Sequence, residues 1–301
     1  MTARPESIAG VEDVDLAGET VLVTGSTDGI GREIALGLGR LGATVLVHGR
    51  DREKGREVTD RIYAGGGDAI PFVADFASQD EVRELADEVA EQAPLDALVN
   101  NAGGFFTRAR LTPEGFEYTF GVNHLAPFLL TNLLRPELSD GARVVTTASG
   151  AHHNASGIDL DAVRTADGYG AMDAYSRSKL ANVLFAAELA RRLDGATSYS
   201  FHPGFVPGSE FSRELPAPVR WGMRAIEYLP DAVSDRFANT VVEGAATGVY
   251  LVASPAVGGA SGDYFVDCEP ATPSRVARDR DLQERLWERS LEWTGLAEDG
   301  G

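Results

Sequence analysis

The chain has 301 residues, 43% of them hydrophobic, which is enough to bury the core of one large domain or two small ones. Its formal net charge of −19 argues against nucleic acid or an anionic membrane surface as a partner, and suits either a high-salt cytoplasm or an ordinary acidic protein. No apolar run is long enough for a membrane anchor, residues 1–16 do not resemble a signal peptide, and the single cysteine, Cys268, excludes an intrachain disulfide, so a cytoplasmic location is expected.

A strand, a glycine-rich turn and a helix follow one another near the start. After a polar leader, 1–15, the residues 19–23 form an apolar run, 24–31 contain three glycines, and 32–41 show helical spacing of apolar residues. Glycines let the backbone approach a pyrophosphate, and a helix N-terminus offers free N–H groups and a partial positive charge. This context predicts a dinucleotide phosphate site. The spacing is Gly-x-x-x-Gly-x-Gly, not the more familiar Gly-x-Gly-x-x-Gly, and a plain tight turn is the alternative.

The second strand, 43–47, ends at a cluster of polar residues that bears on cofactor choice. An acid at this position binds the ribose hydroxyl of NAD, whereas an arginine accommodates the 2′-phosphate of NADP. Arg50, with Arg32 as a possible helper, favours NADP(H), and NAD(H) is the alternative because Asp51 follows directly. Asp51 is either a helix cap or a ribose ligand. His48 is expected to be a half-buried strand residue.

The alternation of strands and helices continues along the chain. Apolar runs and helical periodicity predict strands at 69–73, 95–99, 143–146 and 263–266, and helices at 52–64, 79–90, 123–134, 172–193, 240–252 and 279–293. Alternating strands and helices joined by short turns indicate an α/β fold with a doubly wound parallel sheet. No linker or repeat divides the chain, so 1–301 is predicted to be a single domain.

Tyr175 and Lys179 lie four residues apart in the predicted helix 172–193. Residues with this spacing lie on the same helix face, so the phenol and the ammonium can meet. A lysine beside a phenol stabilises the phenolate and lowers the tyrosine pKa from about 10, which makes tyrosine a usable general acid/base near neutral pH. The chain has only two lysines, Lys54 and Lys179, against many arginines, which suggests that arginine would not serve at 179.

Taken together, these motifs resemble the short-chain dehydrogenase/reductase (SDR) family over about 16–296. The matching elements, in the family's order, are 24–31, Asp75, 100–103, Asn123, Ser149, Tyr175 with Lys179, and 203–204. The stretches 122–131, 175–185, 262–268 and 284–287 are most similar to the retinol-dehydrogenase-like branch. The resemblance implies a Rossmann-type sheet of about seven strands, NADP(H) as cofactor, and interconversion of an alcohol and an aldehyde or ketone.

The resemblance also implies a role for each motif residue. Tyr175 would exchange a proton with the substrate oxygen, and Ser149 would hydrogen-bond the same oxygen. Lys179 would lower the pKa of Tyr175 and bond the nicotinamide ribose, and Asn123 would hold water in a proton relay. The implied cofactor-binding residues are Gly25, Ser26, Thr27, Asp28, Gly29, Ile30, Gly31, Arg32, Arg50, Asp75, Phe76, Asn101, Ala102, Gly103, Tyr175, Lys179, Pro203, Gly204 and Val206.

The segment after Gly204 and the histidine pair 152–153 lead to further expectations. The resemblance implies that Val206 contacts the nicotinamide carboxamide through its backbone, with Ser209 as the candidate side-chain contact. His152 and His153 are expected on a surface loop, and no metal site is predicted, since no third ligand stands at suitable spacing. The resemblance implies that the segment 205–235 forms a lid over the substrate. Its apolar part, 211–228, suggests an apolar carbonyl compound, although the same residues would also suit packing against the core.

Two other functions compete with the oxidoreductase hypothesis. One is a 3-oxoacyl-thioester reductase of the same superfamily. Such an enzyme must bind an acidic carrier protein, which an acidic surface would repel. The other is a catalytically silent NADP-sensing protein, which would be expected to lose Tyr175 or Lys179. A homodimer or homotetramer is plausible from the family, but the sequence does not choose between them.

Overall fold

One mixed sheet forms the centre of the molecule. The structure is a computed structural model that describes residues 3–206, 239–257 and 261–296. Within these residues, eight strands lie in the order β3-β2-β1-β4-β5-β6-β7-β8. All neighbouring pairs are parallel except β7 with β8, which is antiparallel. The strands are β1 Thr20–Val23, β2 Thr44–Gly49, β3 Asp68–Val73, β4 Leu95–Asn100, β5 Leu138–Thr147, β6 Thr197–His202, β7 Tyr264–Val266 and β8 Glu269–Ala271.

Helices cover both faces of this sheet, as predicted for a doubly wound α/β fold. They are α1 Pro5–Ile8, α2 Gly29–Arg40, α3 Arg52–Ala64, α4 Gln79–Ala90, α5 Tyr118–Phe120, α6 Ala126–Leu134, α7 Ala171–Arg192, α8 Val241–Ala253 and α9 Arg280–Thr294. A π-helical turn, Gly121–Leu125, joins α5 to α6 and interrupts what the sequence predicts as one regular helix.

The apolar strand residues alternate between two cores. Val21 and Val23 pack with Ile34 of α2 on one face, while Leu22 between them packs with Phe128 of α6 on the other. Successive strand side chains point to opposite faces, so a strand buried on both sides reads as an unbroken apolar run. This is why the central strands are visible in the sequence.

The eighth strand is a feature that the predicted count of about seven strands does not include. The turn from β7 to β8 contains Asp267 and Cys268, with φ angles of 49° and 64°. Two consecutive left-handed residues match the twist of a tight hairpin. Pro270 lies within β8, where proline is tolerated because the strand is at the edge of the sheet. A three-residue strand with a central proline has no recognisable strand pattern.

The described part of the predicted leader, 3–15, packs onto the domain through buried residues that begin at Pro5. Glu6 is 3% exposed and accepts hydrogen bonds from Arg40 Nε at 2.6 Å and Nη2 at 2.8 Å. Val11 is also buried in the core beside α2. The predicted lid, 205–235, lies outside the described residues from 207 onward, and so does Ser209. In the part of the chain that is described, no helix is both long and apolar enough to cross a membrane.

Candidate active site

The glycine-rich turn after β1 is packed tightly against the loop after β4. Gly25 has a φ of 65°, and a Cβ added there would lie 2.7 Å from the Cα of Ala102. Thr24 Oγ1 accepts hydrogen bonds from the N–H groups of Asn101 and Ala102, both at 3.0 Å. A side chain at Gly31, in the first turn of α2, would collide with Asn101. The turn therefore requires glycine for its own close packing, as well as for any ligand.

The N-terminus of α2 lies at this turn and lines the cavity beside it. Asp28 caps the helix by accepting a hydrogen bond from the Gly29 N–H at 2.7 Å. Gly29 has a φ of 55°, and a Cβ added there would meet no atom within 4 Å, so this position opens onto free space. Free N–H groups at a helix start, bordered by glycine, form a site for a phosphate group.

His48 is buried beneath the turn and is not half-buried as the sequence suggested. It is 2% exposed, its Nδ1 accepts a hydrogen bond from the Gly25 N–H at 3.3 Å, and its Nε2 lies 3.2 Å from the Ala74 carbonyl oxygen. These partners place its proton on Nε2. Burial lowers the pKa of His48 to about 4, so the ring stays neutral. Its ring also stacks on Phe76 at 4.7 Å, which joins the glycine turn to the end of β3.

Arg50 and Asp51 have different surroundings at the end of β2. Arg50 extends over the end of β3, where its Nη1 lies 3.9 Å from Asp75 Oδ2 and its side chain is 56% exposed. Asp51 caps α3, because its Oδ1 accepts hydrogen bonds from the N–H groups of Glu53 at 3.0 Å and Lys54 at 3.2 Å. Of the two possibilities for Asp51, the structure shows the cap.

Two further cations, Arg32 and Lys54, lie beside Asp28 at the start of α2. Arg32 Nη1 is 3.6 Å from Asp28 Oδ1, and Lys54 Nζ is 3.8 Å from Asp28 Oδ2. Sequence reasoning named Arg32 but not Lys54. The signal for Lys54 was its position in the first turn of α3, directly after the strand that carries Arg50.

The cleft consists of two cavities that share Gly25, Ala102 and Gly103. The larger has a volume of about 410 Å³ and reaches the end of β6. Among the predicted site residues it contains Gly25, Asp28, Gly29, Ile30, Gly31, Asn101, Ala102, Gly103, Ser149, Tyr175, Lys179, Pro203, Gly204 and Val206. The smaller adds Thr27, Arg50, Asp75 and Phe76. Ser26 and Arg32 are not among the residues that line these two cavities; Ser26 is fully buried and bonds to the backbone of His48.

Three of the four predicted catalytic side chains, Ser149, Tyr175 and Lys179, meet at one end of this cleft. Ser149 follows β5, and its hydroxyl is hydrogen-bonded to Tyr175 of α7. Lys179, one turn further along α7, is 5% exposed, and its Nζ donates to the Thr147 carbonyl oxygen at 3.1 Å. The same Nζ lies 5.7 Å from the centre of the Tyr175 ring. The spacing of four residues therefore does bring the two side chains together.

Burial shifts the pKa values of Tyr175 and Lys179 so that the neutral form of each is favoured. Burial raises the pKa of Tyr175, and the hydrogen bond from Ser149 offsets only part of that effect. Burial also lowers the pKa of Lys179 to about 8. The contribution of Lys179 to the Tyr175 pKa stays a prediction, while the net shift in this geometry is opposite to the predicted lowering. The reason is that burial penalises both charged forms, while the ammonium is directed at the Thr147 carbonyl.

Asn123 lies on the π-helical turn and bridges two parts of the site. Its Nδ2 donates to the Gly104 carbonyl and to Ser178 Oγ, both at 3.0 Å, and its Oδ1 accepts from the Gly104 N–H at 2.9 Å. The side chain thus connects the loop after β4 with α7. Holding water in a proton relay stays a prediction for this residue.

The two adjacent histidines differ in exposure. His153 is exposed as predicted, but His152 is 0% exposed, so its assignment to a surface loop is wrong. In the described part of the chain, no group of three or more His, Cys, Asp or Glu side chains is arranged to hold a metal ion.

Sequence and structure comparisons with known proteins all point to one family. The sequence profile of the short chain dehydrogenase family matches residues 19–218. Human retinol dehydrogenase 14 is 39% identical over 93% of this chain and 87% of its own length. Mouse polyprenol dehydrogenase is 40% identical over 92% of this chain and 84% of its own length. A short chain dehydrogenase of Burkholderia cenocepacia, solved in complex with NADP, superposes with a TM-score of 0.66 at 28% identity, covering 83% of this chain and 96% of that one.

Proposed function

Because the chain belongs to the short-chain dehydrogenase family, in its retinol-dehydrogenase-like branch, and is an oxidoreductase for alcohol and carbonyl groups, we propose that it uses NADP(H) with Tyr175 as the general acid/base. The observation that carries this proposal is the meeting of Ser149, Tyr175 and Lys179 at one end of a cleft whose other end holds Arg50.

The residues of the cleft fit a nicotinamide dinucleotide. The glycines at 25 and 29 and the free N–H groups of α2 suit the pyrophosphate, and the cavity around Tyr175 suits the nicotinamide ribose. When bound, the nicotinamide supplies or accepts the hydride. The protein contributes binding, orientation and the proton.

The 2′-phosphate of NADP is the group that the charged rim suits. Arg50 is half-exposed over the adenosine end of the cleft, and Lys54 stands nearby at the rim. Asp51, the acid that would otherwise favour the ribose hydroxyl of NAD, is engaged as the cap of α3. In a chain with a net charge of −19, such local cations offset the repulsion of a polyanionic ligand.

Each direction of the proposed reaction uses a different protonation state of Tyr175. A raised pKa keeps Tyr175 protonated near neutral pH, and this is the form that donates a proton to a carbonyl oxygen. Ser149 accepts a hydrogen bond from the Ala151 N–H at 3.2 Å, which leaves its own proton for Tyr175 or for the substrate oxygen. In the oxidation direction, Tyr175 must first lose its proton.

The substrate end of the cavity suits an apolar compound. Phe105 contacts the edge of the Tyr175 ring at 5.6 Å, and Met172 and Phe205 line the same cavity with exposed fractions of 46% and 47%. Two relatives are named for retinol and polyprenol, which are both hydrophobic alcohols. We propose that the substrate is an apolar carbonyl compound or alcohol, and we do not assign it as retinol or polyprenol.

Cofactor titration tests the NADP(H) assignment. Purified protein is titrated with NADPH and NADH at low and high salt, and then supplied with a panel of apolar aldehydes and ketones. We expect tighter binding of NADPH, and NADPH-dependent turnover of at least one apolar carbonyl. Arg50→Asp should weaken NADPH binding about 10- to 100-fold, the size of one or two lost charge-assisted hydrogen bonds, with little effect on NADH.

Arg52→Asp is the matched control, because Arg52 is exposed in the same segment and undergoes the same change of charge. Equal effects of the two substitutions on NADPH affinity, or a preference of the wild-type protein for NADH, would contradict the assignment.

A further inference from the structure

The turn that follows β5 determines where the Ser149 hydroxyl points. Ser149 caps a short 3₁₀ helix, Gly150–Asn154, through its Oγ, which accepts from the Ala151 N–H at 3.2 Å. The same hydroxyl is hydrogen-bonded to Tyr175. Any rotation of the Ser149 peptide therefore changes the direction in which its side chain leaves the strand.

Two groups of His152 hold the carbonyl of Ser149. The backbone N–H of His152 donates to this oxygen at 3.1 Å, and the Nδ1 of its ring lies 2.7 Å from it. On the opposite side of the ring, Nε2 lies 3.1 Å from the backbone nitrogen of Ser274. Ser274 belongs to the segment between β8 and α9, and its Oγ accepts from the Ala277 N–H at 3.2 Å.

These partners allow one tautomer of the imidazole. A carbonyl oxygen only accepts, so Nδ1 carries the proton, and a backbone N–H only donates, so Nε2 is the acceptor. The ring is 0% exposed, and Tyr264 packs against it at 5.0 Å, so its orientation is fixed by packing as well. Burial lowers the pKa of His152 to about 4, which agrees with a neutral ring.

We propose that His152 is a positioning residue for Ser149: its Nδ1–H fixes the serine carbonyl, and its Nε2 anchors the ring to the segment after β8. The inference rests on the proposed function, in which Ser149 binds the substrate oxygen. His152 acts through Ser149 and does not itself line the described cleft. Its expected effect is on the chemical step, since a displacement of a catalytic group by about 1 Å costs up to about 100-fold in rate.

Three substitutions of His152 distinguish the roles of its two ring nitrogens. The amide nitrogen of asparagine reaches the position of Nδ1, whereas the longer glutamine side chain places its amide near the position of Nε2. His152→Ala should lower kcat for a carbonyl substrate at saturating NADPH by about 10- to 100-fold. NADPH affinity should change by less than about twofold, because the residue does not contact the cofactor cleft. His152→Asn should restore most of kcat, and His152→Gln should not.

A double-mutant cycle with Ser149→Ala distinguishes positioning from general structural damage. In the Ser149→Ala background, His152→Ala should change the residual rate by less than about twofold, because the group that it positions is already gone. A further loss as large as that in the wild-type background would overturn the proposal. So would an Asn variant as impaired as the Ala variant.

The outcomes also separate this inference from the proposed function. If the wild-type protein reduces no carbonyl with NADPH, both are wrong. If the wild-type protein is active and all three His152 variants keep its kcat, only the inference is wrong. If the Ala variant does not fold, the Asn and Gln variants still give the comparison. The ¹⁵N shifts of the wild-type imidazole add a test without turnover, and an Nε2-protonated ring would contradict the proposed bonds.

Discussion

Lys179 is predicted to lower the free energy of unfolding of the protein, although the proposed catalysis requires it. Burial lowers its pKa from the ordinary 10.5 to about 8. At about 1.36 kcal/mol per pH unit, this corresponds to about 3 kcal/mol of unfavourable free energy for holding the charged form in the interior. Lys179→Met keeps an unbranched side chain and removes the charge. The Thr147 carbonyl that Lys179 bonds retains a second donor, Asn182 Nδ2, at 3.1 Å.

The effect has a defined dependence on pH. Because the folded-state pKa is lower than the unfolded one, the unfolded chain binds more protons between about pH 8 and 10.5, and wild-type stability rises through that range. The penalty is fully present below pH 8. Lys179→Met is therefore expected to raise the free energy of unfolding by about 3 kcal/mol at pH 7. The gain should shrink above pH 8 and disappear near pH 10.5, while catalytic activity is lost at every pH.

Urea denaturation of the wild-type protein and the variant at pH 7, 9 and 10.5 measures this difference. Lys54→Met is the matched control, since Lys54 is the other lysine and its side chain is 45% exposed. Its effect should stay within about 0.5 kcal/mol and should not follow pH in this way. A Lys179→Met protein that is no more stable than the wild type at pH 7, or a gain that is the same at all three pH values, would refute the reasoning.

Three further predictions concern the turn, the leader and the α3 cap. Gly25→Ala and Gly168→Ala, whose φ angles are 65° and 66°, should each lose about 1–2 kcal/mol through the left-handed conformation. Gly25→Ala should lose about 1–3 kcal/mol more of the free energy of unfolding than Gly168→Ala and should bind NADPH poorly, because of the two positions only Gly25 places a Cβ against backbone atoms. Equal stabilities of the two variants in urea titrations would contradict this. Glu6→Gln should lower the free energy of unfolding by about 1–3 kcal/mol, since it leaves Arg40 without its bidentate partner, and a value near zero would mean that the leader is not part of the domain. Asp51→Ala should lose about 0.5–2 kcal/mol of stability but leave the preference for NADPH over NADH unchanged; a changed preference would restore Asp51 as a ribose ligand.

The sequence predicted those parts of the fold that have local signals. The helices at 52–64 and 79–90 have the predicted bounds, because Asp51 and Ser78 cap them and their apolar residues keep a helical period. The central strands were visible as apolar runs. The eighth strand was not, because its three residues pair with β7 through a turn whose two left-handed residues are not glycines.

The site was predictable where residue type and spacing carry the chemistry. The spacing of Tyr175 and Lys179 predicted that these two side chains meet, whereas the family resemblance added Ser149. All three line one cavity, and their catalytic roles stay predictions. The burial of His48 and His152 could not be read from the sequence, since each ring has a backbone partner that is distant along the chain. Ser274, for example, lies 122 residues beyond His152. The raised pKa of Tyr175 has the same origin, because desolvation depends on the whole surrounding structure.

Single-turnover reduction of an apolar ketone by NADPH, with Tyr175→Phe beside the wild-type protein, tests the central claim most directly. The substitution removes the hydroxyl that is hydrogen-bonded to Ser149 and keeps the ring that packs against Phe105. The account predicts a loss in rate of about 100-fold or more, with NADPH binding and stability nearly unchanged. A Tyr175→Phe protein that reduces the ketone at the wild-type rate would show that Tyr175 is not the acid that protonates the substrate oxygen.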